Sequence, residues 1–227
     1  MLRTFLENRE YMDVNGILFL MFGYGVILLL VLPVHELAHG YVAHLCGDDT
    51  AKWHGRLTLN PFRHLDVWGT VMILTVGIGY AKPVPVVPRN FRHYKRDMVL
   101  VSLAGPLSNL LMAIAAAGVF RLCMVFVTDM TLLQVLWLIL IRTIASVNIS
   151  LMVFNLLPIP PLDGSRLWSS LLPGKWSFKL EQYSQYITMG LFVLLLTGAL
   201  DGALSRLYTL FGLGIGSLFG APNMFFL

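Results

Sequence analysis

The sequence predicts an all-α polytopic membrane protein. It has a three-helix core, a C-terminal helical segment, and a re-entrant or short β-edge element between the first and second core helices. Three observations carry that reading. Hydrophobic residues make up 57% of the 227 positions and charged residues only 12%, too few charges to cover a water-soluble domain. Several apolar runs exceed the roughly 20 residues needed to cross a bilayer. The only cysteines are Cys46 and Cys123, so no disulfide framework shapes the fold. The length suits one bundle over residues 1–227, with a core over about 15–166 and a C-terminal segment over about 187–220.

The elements follow in order. Residues 1–15 are polar, and the run after them is too long for a signal-peptide core, so no cleavable leader is expected. The first core helix is predicted from Asn15 to about Cys46, roughly 45 Å of helix. Residues 47–66 are polar. Residues 67–80 are apolar but short for a span, and Gly69, Gly77 and Gly79 interrupt them. They read as re-entrant, or as a half-buried helix or strand. In 82-KPVPVVPRNFRHYKR-96, Pro83, Pro85 and Pro88 exclude a helix and suit an extended edge segment. The second and third core helices are expected at about 98–127 and 132–157. Residues 158–186 read as a loop with some short helix. Asp201 and Arg206 break the last apolar stretch into one kinked span or two short ones.

The formal net charge is +4. In a membrane protein this mainly reports which loops face the cytoplasm, so it implies no nucleic-acid partner. Lys82, Arg89, Arg92, Lys95 and Arg96 precede the second core helix, and Arg166, Lys175 and Lys179 follow the third. Both groups fall on one side, which should be cytoplasmic. His35 lies about 29 Å along the first helix from Gly16, near that same side.

The chemistry begins at 35-HELAH-39. Residues four apart share one helix face, so His35 and His39 can bind a single zinc ion. Glu36 can then act as general base toward a water molecule at the metal. Ionisable groups inside an apolar helix are rare and usually functional. A hydrolytic zinc site takes a third protein ligand. Asp66, Asp97, Asp163, Glu181 and Asp201 remain after acidic residues at the wrong end or too close in sequence are set aside. Asp163 stands out in 155-NLLPIPPLDGSR-166, where prolines end an apolar helix and a carboxylate follows.

At this point the sequence resembles the site-2 proteases, intramembrane zinc metalloproteases. The resemblance rests on HELAHG at 35–40, GRLTLNPFRHLD at 55–66, PVPV at 83–86, LAGPLSN at 103–109 and NLLPIPPLDG at 155–164. It implies that His35, His39 and Asp163 hold one Zn2+ per chain and that Glu36 is the catalytic base. It implies a three-span catalytic core with the site toward the cytosolic side, and transmembrane protein substrates. It also implies an edge segment that holds the substrate extended. The resemblance is to a compact form without a PDZ-like insertion or regulatory nucleotide-binding domain, so a regulatory membrane protein is a possible partner alongside the lipid bilayer. The alternative is a catalytically inactive membrane-segment binder of the same fold. A metal transporter is disfavoured because no repeated halves are visible.

Other polar residues divide two ways. Asn109 reads either as an oxyanion donor or as interhelical glue, and Asn148 either as an active-site group or as glue. His44 points away from the His35/His39 face, about 180° round the helix. His54, His64 and His93 lie in polar loops and are expected to be solvated, and Arg142 sits in an apolar helix with no partner visible in the sequence. Water is expected to reach the site past residues 47–66 or 158–170.

Overall fold

The computed structural model describes residues 21–76, 79–126 and 131–225. Regular secondary structure among these is entirely helical. The first core helix, α1, is described over Met21–Leu45; residues 15–20, assigned to it from sequence, lie outside the described residues. Its Ile27–Val31 stretch is π-helical. Pro33 lies two residues on and has no N–H to give the Leu29 carbonyl, and a widened turn accommodates that loss. The helix stops at Leu45 because Gly47 takes φ +106°, a conformation that other residues adopt at a cost.

The connection to the second core helix contains α2 (Thr50–Trp53), a 3-10 turn at Pro61–Arg63, α3 (Val67–Val76) and a 3-10 turn at Pro88–Asn90. The stretch read from sequence as re-entrant or half-buried is therefore a ten-residue helix followed, over residues 79–87, by a return leg that is neither helix nor strand and whose Val87 is extended. The expected β-edge is not a paired strand: among the described residues no strand is present. The prolines explain this, because Pro83 and Pro85 carry no N–H for a ladder. Helix and return leg touch through glycines. A side chain on Gly69 would collide with the Tyr80 backbone, and one on Gly79 with the Gly69 carbonyl.

The second core helix, α4, runs over Tyr94–Phe126 and the third, α5, over Leu132–Asn155. Thr131 and Gln134 start α5 with a reciprocal cap. With α1 these are three helices long and apolar enough to cross a membrane. The region 158–186 is more ordered than its prolines suggest, forming α6 (Asp163–Leu171) and α7 (Gly174–Gln182). The last apolar stretch is two helices, α8 (Ser184–Leu196) and α9 (Asp201–Leu218), bent by 83°. Gly198, at φ +71°, makes the bend.

Small residues bring α4 and α5 together. Ala113, Ala116 and Ala117 of α4 pack against Ala145, Ile149 and Met152 of α5. Ile215 of α9 and the terminal Met224 and Phe225 complete this cluster. Arg142 finds its partner there, donating to the Phe225 carbonyl at 3.1 Å.

Candidate metal centre

Three polar atoms converge where α1, α4 and α6 meet. His35 Nε2 and His39 Nε2 are 3.1 Å apart, and each is 3.2 Å from Asp163 Oδ2. The 35/39 spacing puts both rings on one face of α1, as the helical repeat requires. Asp163 is brought in by the turn at Pro158, Pro160 and Pro161, after which it opens α6. Gly164 lets that helix pack tightly, since a side chain there would strike the Leu156 and Leu157 carbonyls. Gly105 of α4 forms the back wall. A methyl group on it would collide with both imidazoles.

The His39 tautomer follows from its other nitrogen. Nδ1 lies 2.7 Å from the Val101 carbonyl, which can only accept, so Nδ1 carries a hydrogen. A neutral His39 then turns a lone pair toward His35 and toward the Asp163 carboxylate. If His35 Nε2 also turns a lone pair inward, three electron-pair donors lie within 3.2 Å of one another, an arrangement that a cation among them stabilises. Zinc fits this donor set: ligand distances of about 2.0–2.1 Å in a tetrahedron put ligand atoms about 3.3–3.4 Å apart. Among the described residues, His35, His39 and Asp163 are the group of His, Cys, Asp and Glu side chains arranged to hold a metal ion. To serve as a ligand Asp163 would have to be ionised and both imidazoles neutral at Nε2.

Glu36 points to the extended segment. Its Oε2 accepts the Val84 backbone N–H at 2.9 Å. Pro83–Val86 also lines a cavity of about 1160 Å³ that reaches His39 and Asp163. Ser165, Arg166, Ser169 and Ser170 form part of its wall, and none of residues 47–66 does. Of the two expected polar approaches, the cavity follows the one at 158–170.

Asn109 lies on α4 one turn beyond Gly105. It is fully buried, and neither side-chain atom has a hydrogen-bond partner among the described residues. Asn148 is also fully buried, and its Nδ2 donates to the Ile144 carbonyl at 2.8 Å. Asn155 donates to the Leu151 carbonyl. His44 is turned away from the centre and pairs with Asp49. His54 and His93 are exposed, as expected. His64 is not: it is fully buried, with Nε2 donating to the Thr58 carbonyl at 2.8 Å. The 56–66 loop folds back on itself, and that loop closure hides a histidine that composition alone made solvated. Sequence reasoning missed the Val84–Glu36 contact and the place of Gly105, because backbone donors and missing side chains leave no chemical tag.

These features define a class, a helical membrane protein whose HExxH helix is completed by an aspartate from beyond the third core helix. The chain belongs to Peptidase family M50, the site-2 protease family of zinc metalloproteases, whose sequence profile matches residues 24–197. It is 44% identical over 185 residues to YwhC of Bacillus subtilis, a candidate zinc metalloprotease, covering 77% of this chain and 80% of that one. It is 30% identical over 193 residues to Rip2 of Mycolicibacterium smegmatis, also a candidate zinc metalloprotease, covering 78% of this chain and 70% of that one. Rip2 of Mycobacterium tuberculosis is 31% identical over 179 residues, covering 77% and 66%. No solved structure matches the chain.

Proposed function

We propose that the protein is a zinc-dependent intramembrane endopeptidase that cuts peptide bonds within or near the transmembrane segments of membrane-protein substrates. The observation that carries this reading is the convergence of His35 Nε2, His39 Nε2 and Asp163 Oδ2 within 3.2 Å, beside Glu36 and on an apolar helix long enough to cross a membrane that carries both histidines. In it, these three side chains hold one zinc ion per chain. When bound, zinc supplies Lewis acidity that polarises a carbonyl and brings the pKa of water toward neutral.

The chain's own groups do the rest. Glu36 takes a proton from the attacking water and passes it to the leaving nitrogen. Asn109, buried with a free amide, donates a hydrogen bond to the oxygen that becomes negative. The unpaired 83–86 segment holds the substrate extended, which a helical substrate needs because its peptide bonds are otherwise shielded. Residues 1–227 act as one integral-membrane protease domain. The arginine and lysine distribution supports a site toward the cytoplasmic side. The bilayer, transmembrane substrates and a regulatory membrane protein are its partners.

The test compares wild type with Glu36→Gln in detergent, measuring bound zinc and cleavage of single-span peptides by mass spectrometry. Zinc is expected in both and cleavage in wild type alone. A folded wild type without stoichiometric zinc, or a Glu36→Gln protein that cuts as well, overturns the reading. Asn109→Leu should retain zinc and lose about 100-fold or more in kcat, the usual effect of deleting an oxyanion donor.

A further inference from the structure

Residues 82–87 form no helix and join no sheet, Val87 is extended, and the prolines bar a helix, so something other than a ladder must hold them beside the metal centre. Their attachments can be counted off along the chain. The Lys82 N–H donates to the His64 carbonyl at 2.8 Å. The Arg56 guanidinium donates to the Lys82 carbonyl. Pro83 and Pro85 have no N–H to give. The Val84 N–H rests on Glu36, and the Val87 N–H donates to Asp48 Oδ2 at 2.7 Å.

Two of these holds differ in kind. In the proposed reaction Glu36 must take up and release a proton, so its grip on Val84 cannot stay constant through turnover. Asp48 has no such duty. Its side chain is fully buried, and its Oδ1 accepts from Asn90 Nδ2 at 2.8 Å and from the Thr50 backbone and hydroxyl. A buried carboxylate met by this many donors is stable only where they converge, so the arrangement is specified by position.

Its place in the chain gives the arrangement its meaning. Asp48 comes three residues after the end of α1, the helix that carries His35, Glu36 and His39. Gly47 turns the chain so that Asp48 meets the end of the extended segment, and a side chain on Gly47 would approach the Asn90 carbonyl at 3.2 Å. The Arg92 N–H adds a tie to the Cys46 carbonyl at 3.1 Å. One short stretch, 46–50, therefore joins the catalytic helix to residues 87–92.

We infer that Asp48 is a positioning residue for peptide hydrolysis: it pins the far end of the 82–87 segment to the catalytic helix and so sets the height at which substrate lies over the metal centre. The inference rests on the reading of 83–86 as the substrate-holding edge. Asp48 acts through Val87 and touches no substrate.

The experiment uses the full chain in detergent, loaded with zinc. Wild type, Asp48→Asn and the milder Asn90→Ala are compared with a fluorescein-labelled synthetic single-span peptide. Bound zinc, peptide Kd, kcat and KM are measured, with amide hydrogen exchange over residues 82–90. Asp48→Asn should keep its zinc, exchange the Val87 amide at least tenfold faster, and raise Kd and KM about tenfold or more with kcat within about threefold of wild type. Asn90→Ala should move the same way by less. If Asp48→Asn does not fold, the KM-against-kcat split in Asn90→Ala decides the matter. Unchanged Kd and KM despite faster exchange overturn the inference. So does loss of zinc and kcat in both variants, which would make Asp48 a general structural prop. Failure of the protease reading looks different: wild type binds the peptide without cutting it, and the Kd comparison still tests the clamp. A wild type that does not bind the peptide removes the edge and the inference together.

Discussion

The Val84 backbone N–H lies 2.9 Å from Glu36 Oε2, so a residue of the extended segment and the carboxylate of the HExxH helix are in direct contact across 48 positions of sequence. The contact orients the carboxylate and brings the 83–86 segment to the centre in one interaction. Val84→Pro removes that N–H alone, in a stretch whose extended backbone already accepts Pro83 and Pro85. A hydrogen bond to a charged group contributes about 1.5–3 kcal/mol. Cleavage, read as kcat/KM, is expected to fall about 10- to 100-fold with zinc content unchanged. Val84→Ala keeps the N–H and should stay within about threefold of wild type. Equal losses in both variants would assign the effect to the side chain and defeat the hydrogen-bond argument.

Gly105 faces both imidazoles, and two opposing effects meet in Gly105→Ala. Alanine in a helix interior is favoured over glycine by about 1 kcal/mol. Forcing a methyl group into a packed wall costs about 1–3 kcal/mol, and here the groups that must yield are the His35 and His39 rings. The helix should therefore survive while the donor triangle opens. The expected outcome is normal helical content with zinc affinity reduced about tenfold or more, measured by competition with a chromogenic chelator. Zinc affinity equal to wild type would show that the rings can shift without disturbing the centre.

The legibility of this protein in its sequence follows the range of each interaction. His35, Glu36 and His39 lie within one helical turn or so, and their spacing announces their shared face. The three core helices were visible because each is a long apolar run. Asp163 is 124 residues from His39, and only its proline-rich setting and the family resemblance pointed to it. The short helix expected within 158–186 is realised as α6 and α7, but its bounds are hidden in the sequence, because Pro158, Pro160 and Pro161 end α5 without preventing a new helix from starting at Asp163. The 82–96 stretch invites an edge-strand reading that the structure does not bear out, because extended residues and paired strands share a composition. His64 and Arg142 depend on backbone carbonyls of Thr58 and Phe225, acceptors that every residue has and no pattern singles out.

Asp48 gives a pH dependence of definite sign. Burial pushes its carboxyl up, but hydrogen bonds from Thr50, Val87 and Asn90 outweigh it and hold the group below its ordinary value. An unfolded aspartate titrates near pH 3.9. A carboxyl depressed in the folded state contributes stability that is fully present above that value and is lost as pH falls through the folded one. Asp48→Asn cannot titrate there, and every other acidic residue is common to both proteins. The stability difference between wild type and Asp48→Asn, from thermal denaturation in detergent, should be level from about pH 5 to 8 and shrink below about pH 4. A difference that stays level down to pH 3, or grows, contradicts the assignment.

Arg142 of α5 ties down the C-terminal residues of the chain's described part. Its guanidinium donates to the Phe225 carbonyl at 3.1 Å, and Met224 and Phe225 are buried against α4, α5 and α9. Arg142→Met keeps most of the apolar stem and deletes the donor, leaving a carbonyl without its partner at a cost of about 1–3 kcal/mol. Removing a partly buried charge offsets some of that, so the net loss should be about 1 kcal/mol, or roughly 2–4 °C in Tm for a chain of this size. The loosened part should be local. Residues 219–225 are expected to become sensitive to limited proteolysis while zinc content and kcat stay at wild-type values. Loss of zinc in Arg142→Met would mean that the terminal seat and the metal centre are coupled through α5, contrary to the separation of the two clusters.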